Sequence, residues 1–225
     1  MGGSGSTELG NILRQKHLVL SKPDTLFRQY LERFRSREVS RDQGSWHARS
    51  AALASITPND PLLTARNLLS VCNVDSRSVV FISNTFAELR VWSTLAVPNV
   101  VFLIRHPLHA YLSWCKIGRH SDIAEEFGGP ESPKLLELFT NRWNDIVEEY
   151  MRLLDLNLSP HLLRFEYFNA DVQRVGPMAA LFLDASQAWE YWRRNHSMKT
   201  DKLDGVVRGL TRDRYEFLYG PNWDV

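Results

Sequence analysis

Residues 99–116 read NVVFLIRHPLHAYLSWCK, and the order of their chemistry decides the fold. Residues 99–104 are short, aliphatic and partly β-branched, as buried parallel strands are. Arg105 ends that run. Pro107 suits the first turn of a helix, and it opens an apolar segment predicted to be helical over 108–116. Strand, arginine and helix start in that order put Arg105 at the carboxyl end of a strand, the edge of an open α/β sheet where ligands bind. Helix N-termini favour anions, and a guanidinium adds a two-pronged fork for phosphate. Ser113 lies about two helical turns further on, where its hydroxyl could serve the same anion. The same residues also suit a structural role, with Arg105 in an ion pair and Ser113 simply packed.

Outward from this run, residues 17–20, 79–82 and 162–165 have the same strand character. Between them lie helical patterns. The clearest covers 133–155, where Leu136, Phe139, Trp143, Ile146, Val147, Tyr150, Leu153 and Leu154 recur at three- and four-residue steps. Further helices are predicted over 84–95 and 171–183, with a short pattern at 212–219. The polar stretch 33–49 reads as a surface helix running into a loop, and 118–133, with Gly128, Gly129, Pro130 and Pro133, as a loop. Helices alternating with buried strands predict an α/β fold, a central parallel sheet flanked by helices, in a single domain spanning 1–225.

Composition narrows the function. Of 225 residues, 44% are hydrophobic and 24% charged, which excludes wholesale disorder, collagen and a coiled coil. Lys and Arg number 27 against 26 Asp and Glu, a formal net charge of +1, so nothing in the bulk charge points to a nucleic-acid partner. The two cysteines, Cys72 and Cys115, form no CxxC pair; they read as reduced thiols and offer no zinc pattern, so no metal is expected. No apolar run reaches the length of a membrane span, and no apolar signal core sits near Met1. The expectation is a cytoplasmic protein without a membrane partner.

The segment 2–13 reads GGSGSTELGNIL. It is a Gly/Ser/Thr loop feeding a helical pattern, and the backbone N–H groups of such a loop can cradle a phosphate. It lacks the Gly-Lys-Ser/Thr ending of a Walker A motif. Residues 2–6 also have the composition of a flexible linker.

Taken together, these motifs resemble the sulfotransferases that use 3′-phosphoadenosine 5′-phosphosulfate (PAPS). Arg105, His106, Pro107 and Ser113 match the spacing of that family's 3′-phosphate motif, with His106 where Asp is commoner. Ser4, Gly5, Ser6 and Thr7, followed by Leu9, resemble its 5′-phosphosulfate loop, with Gly3 where the family carries Lys or Arg. Residues 162–168, LLRFEYF, resemble a strand late in the family fold, with Arg164 and Glu166 in structural roles as an ion pair or helix cap. The resemblance implies a sulfotransferase-like sheet whose usual first strand is missing or lies upstream. It also implies PAPS as donor and a hydroxyl of a small molecule or carbohydrate as acceptor. Arg105 and Ser113 would hold the 3′-phosphate, Gly3 to Thr7 the phosphosulfate, and the late basic residues Lys199, Lys202 and Arg208 would close over the nucleotide.

Sulfuryl transfer is an in-line displacement in which a general base takes the acceptor's proton. Candidates are His47 and Glu32; the site where the family commonly keeps its base falls near Ser83, Asn84 and Thr85, none of which serves. Gly3 also fits a second reading, a catalytically degenerate relative that binds a nucleotide or a partner. The missing Walker lysine argues against a kinase.

Overall fold

The computed structural model describes residues 9, 19–21, 60–71, 79–81, 89–96, 100–115, 124–174 and 203–223. They belong to two compact units, Leu13–Ala96 and the pair of stretches Met1–Ile12 and Val97–Val225.

In the first unit, β1 (Val19–Ser21) pairs in parallel with β2 (Val79–Phe81), Val19 opposite Val79. Helix α1 (Pro61–Val71) packs against α2 (Leu89–Ala96). The start of α1 is set locally. Asp60 accepts the Leu63 N–H on Oδ1 at 2.8 Å, and Pro61 fills the first helical position. Thr64 and Ala65 are the buried residues of its first turns. The chain pattern at 79–82 anticipates β2, whereas no helix was expected over α1.

In the second unit, β3 (Val101–Ile104) runs parallel to β4 (His161–Arg164), with Val101 opposite His161 and Ile104 opposite Arg164. A parallel pair needs a crossover, and the chain between the strands supplies helices α3 (Pro107–Cys115) and α4 (Pro133–Asp155). Phe102, Ile104 and Leu163 point inward from the strands. On α4 the buried stripe is Leu136, Phe139, Trp143, Val147 and Leu153, the spacing of one helical face. The helix stops where Asn157 turns left-handed (φ 56°). Its N–H bonds the Leu154 carbonyl and the Leu158 N–H that of Leu153, the paired bonds of a Schellman cap.

Short α5 (Phe168–Val172) lies against β4, and α6 (Asp204–Tyr219) lies against α3 and α4. Both differ from the sequence expectation. The helix predicted over 171–183 begins earlier, at Phe168, with a turn at Gln173 and Arg174, and residues 175–183 lie outside the described residues. The pattern at 212–219 is the second half of a 16-residue helix whose first half carries Gly205 and Gly209, which hide its period. Within the expected loop 118–133, residues 124–126 are helical and are closed by left-handed Gly128 and Gly129. The described residues are thus mixed α/β, with parallel strand pairs and flanking helices, and the strands pair two by two, one pair in each unit. Among them no helix is long and apolar enough to cross a membrane.

Candidate functional site

The carboxyl ends of β3 and β4 lie side by side, so the residues that follow each strand meet. After β3 come Arg105 and His106; after β4 come Phe165 and Glu166. The Phe165 N–H extends the ladder to the Ile104 carbonyl at 2.7 Å. Arg105 is 2% exposed, and its guanidinium carbon sits 4.1 Å above the Phe165 ring centre. Its main-chain carbonyl accepts the Trp143 indole N–H at 2.9 Å, tying the strand end to the middle of α4. Burial lowers the guanidinium pKa, while Glu166 and Tyr219 pull it back up.

Glu166 occupies the start of α3. Its Oε1 accepts the His106 N–H at 3.0 Å, and its Oε2 accepts the Tyr219 hydroxyl at 3.0 Å. A carboxylate there satisfies an N–H that the helix cannot and meets the positive end of its dipole. Burial pushes the carboxyl pKa up, and these bonds together with Arg105 oppose it. Because both oxygens accept hydrogen bonds, the geometry suits the ionised form. The same hydroxyl bond and carboxyl charge raise the Tyr219 pKa, on top of burial.

His106 is enclosed by aromatic rings. His109 lies 4.6 Å away, Trp223 4.5 Å and Tyr215 5.2 Å, centre to centre. Its Nε2 lies 3.1 Å from the Trp223 carbonyl oxygen, which can only accept, so the proton is on Nε2. Among the described residues, its buried Nδ1 has no hydrogen-bond partner. Burial drives the pKa values of His106 and His109 down to about 4 each. Both rings are therefore neutral at pH 7. The Trp223 indole N–H is donated to Asp204, and the Tyr215 hydroxyl to the Asn222 carbonyl at 2.9 Å.

Arg164 is paired next door. Nε and Nη2 grip the two oxygens of Asp171, the Arg164 N–H also reaches that carboxylate at 2.8 Å, and Nη1 donates to the Leu218 carbonyl at 3.0 Å. The expected structural pair exists, but its acid is Asp171. Glu166, two residues on, turns to α3 instead.

Ser113 lies half-buried on α3. Arg208 is exposed on α6, its guanidinium 5.8 Å from the Trp223 ring. Gly3, Ser4, Gly5, Ser6, Thr7, Glu32, His47, Lys199 and Lys202 fall outside the described residues. Among the described residues, no group of three or more His, Cys, Asp or Glu is placed to hold a metal ion. The helix-cap role expected of Glu166 is met at the α3 start, a helix the sequence reading did not name as its partner, and that reading missed Tyr219 and Trp223 as cover. One signal was present: Tyr215, Tyr219 and Trp223 recur every four residues, an aromatic ladder in which the first two rings stack at 4.8 Å.

No protein-family model, curated protein or solved structure matches this chain.

Proposed function

We propose that this protein is a PAPS-dependent sulfotransferase acting on a hydroxyl of a small molecule or carbohydrate. The observation that carries the reading is the placement of Arg105 directly after a parallel strand and directly before the start of α3. A guanidinium-bearing residue and a helix start adjoin at that strand end, a combination that suits an anionic ligand. Arg105 and Ser113 hold the donor's 3′-phosphate in this reading, the loop Gly3 to Thr7 holds the phosphosulfate, and Arg208, with Lys199 and Lys202, contributes charge around the nucleotide. The acceptor oxygen attacks sulfur in line, its proton passes to a base, and adenosine 3′,5′-bisphosphate leaves. Positioning and charge stabilisation supply most of the acceleration. His106 is not assigned as that base: its lone pair, on Nδ1, is buried, and burial lowers the ring's pKa to about 4. His47 and Glu32 remain the candidates.

A second reading, a degenerate relative that binds nucleotide or a partner without turnover, is favoured by a specific observation. The carboxyl group of Glu166 already bonds the α3 start beside a buried Arg105.

Adenosine 3′,5′-bisphosphate should raise the melting temperature. At a hundredfold excess over Kd, binding adds about 2.7 kcal/mol, or roughly 5–10 °C for a chain of this size. Arg105→Ala should remove the shift. An equal shift in that variant, or a shift with ATP and magnesium alone, rejects the assignment. Transfer of labelled sulfate from PAPS to an acceptor then separates enzyme from degenerate relative.

A further inference from the structure

We propose that the segment from Tyr219 to Trp223 is a latch that holds the Arg105 edge shut, with the Glu166 carboxyl group seated where an incoming anion would have to sit. The inference rests on the anion-binding reading of Arg105 given above, and it concerns the regulation of that same edge.

Separate bonds fasten the end of α6 and the residues after it to the strand ends. The Tyr219 hydroxyl holds Glu166, the Arg164 Nη1 holds the Leu218 carbonyl, and the His106 Nε2 holds the Trp223 carbonyl. Trp223 is itself folded back over α6. Its indole N–H goes to Asp204 at the start of that helix, and its carbonyl also accepts the Tyr215 hydroxyl at 3.2 Å. The chain makes this return at Gly220, whose φ of 83° lies in the left-handed region that glycine enters without steric cost. A hinge and a fastened tip are the two parts a strap needs.

Beneath the strap lies a filled anion seat. The α3 N–H at His106 and the charge of Arg105 both act on the Glu166 carboxyl group. A phosphate arriving at Arg105 meets a group of its own charge already bonded there. Binding therefore requires Glu166 to leave, and Tyr219, which bonds its second oxygen, must let go with it. Any open form binds with an apparent Kd equal to the intrinsic value divided by the open fraction. Weakening the latch should thus tighten anion binding, although it removes contacts from the folded state.

The test compares the full chain with Trp223→Ala and Tyr219→Phe. Arginine-selective labelling with phenylglyoxal, followed by peptide mapping, reads the accessibility of Arg105; Arg212, with 69% of its side chain exposed, is the internal standard. In the wild type Arg105 should label far more slowly than Arg212, and in either variant about tenfold faster than in the wild type, as expected if the open fraction rises about tenfold. The concentration of adenosine 3′,5′-bisphosphate giving half its thermal shift should fall by a similar factor. Tyr219→Phe removes one oxygen only, so it serves if Trp223→Ala fails to fold. Labelling of Arg105 unchanged in folded Tyr219→Phe, or as fast as Arg212 in the wild type, overturns the latch. Faster labelling with no bisphosphate shift in any form keeps the latch and rejects the nucleotide reading.

Discussion

Asp171 and Glu148 both meet an arginine, and their surroundings give the two pairs different weights. Asp171 is 4% exposed and takes a two-pronged grip from Arg164, which also donates to the Leu218 carbonyl. Glu148 is half exposed and receives Arg214 across from α6. Removing one partner of a buried pair strands the other charge and costs about 3–5 kcal/mol. Removing an exposed partner costs about 0–1 kcal/mol. Asp171→Ala should therefore lower the urea midpoint strongly, and Glu148→Ala should barely move it; equal shifts would show that the burial of the Arg164 pair has no energetic weight. Residue identity made part of this legible. An arginine and an acid near the end of β4 announced a structural pair, but which acid takes part depends on the turn at residues 165–167, and no spacing rule states that.

At the scale of elements, the signals that were local proved readable. Helix α4 runs from Pro133 to Asp155 as its apolar period states, and β3 ends at Ile104, just before Arg105 and Pro107. Helix α1 also has a local signal, Asp60 followed by Pro61, yet its mixed sequence PLLTARNLLSV gives no clean apolar stripe to announce a helix. That cap supports a testable prediction. Asp60→Ala removes the acceptor of the Leu63 N–H and should cost about 0.5–2 kcal/mol, seen as a lower unfolding midpoint. Asp60→Asn, which keeps an acceptor oxygen, should recover most of the loss. If alanine and asparagine behave alike, the side-chain bond is not what starts the helix. The first half of α6 escapes the apolar period for another reason, since Gly205 and Gly209 interrupt it.

For the whole molecule, what the sequence could not show is closure over distance. His106 and the Trp223 carbonyl are 117 positions apart, and Glu166 reaches the His106 N–H across 60. Bringing these groups together leaves pH dependences whose signs can be worked out group by group. His106 and His109 fall from the ordinary 6.5 to about 4 on folding. Between those values the unfolded chain binds more protons, so stability rises with pH and is lost as pH drops from about 6.5 to about 4. Glu166 acts the other way. Burial raises its pKa, so the folded chain takes that proton first and gains stability on acidification until the unfolded carboxyl also protonates. The wild-type slope is the sum of both. His106→Gln, whose amide can still donate to the Trp223 carbonyl, removes a destabilising proton and should retain on the order of 2–3 kcal/mol more of its neutral-pH stability at pH 4.5 than the wild type does. Glu166→Gln removes the opposing group and should make the acid loss steeper. Urea unfolding at pH 7 and pH 4.5 reads both slopes, and a His106→Gln slope as steep as the wild type's would mean that the folded protein holds this ring open to protons, in conflict with the enclosure that the latch requires.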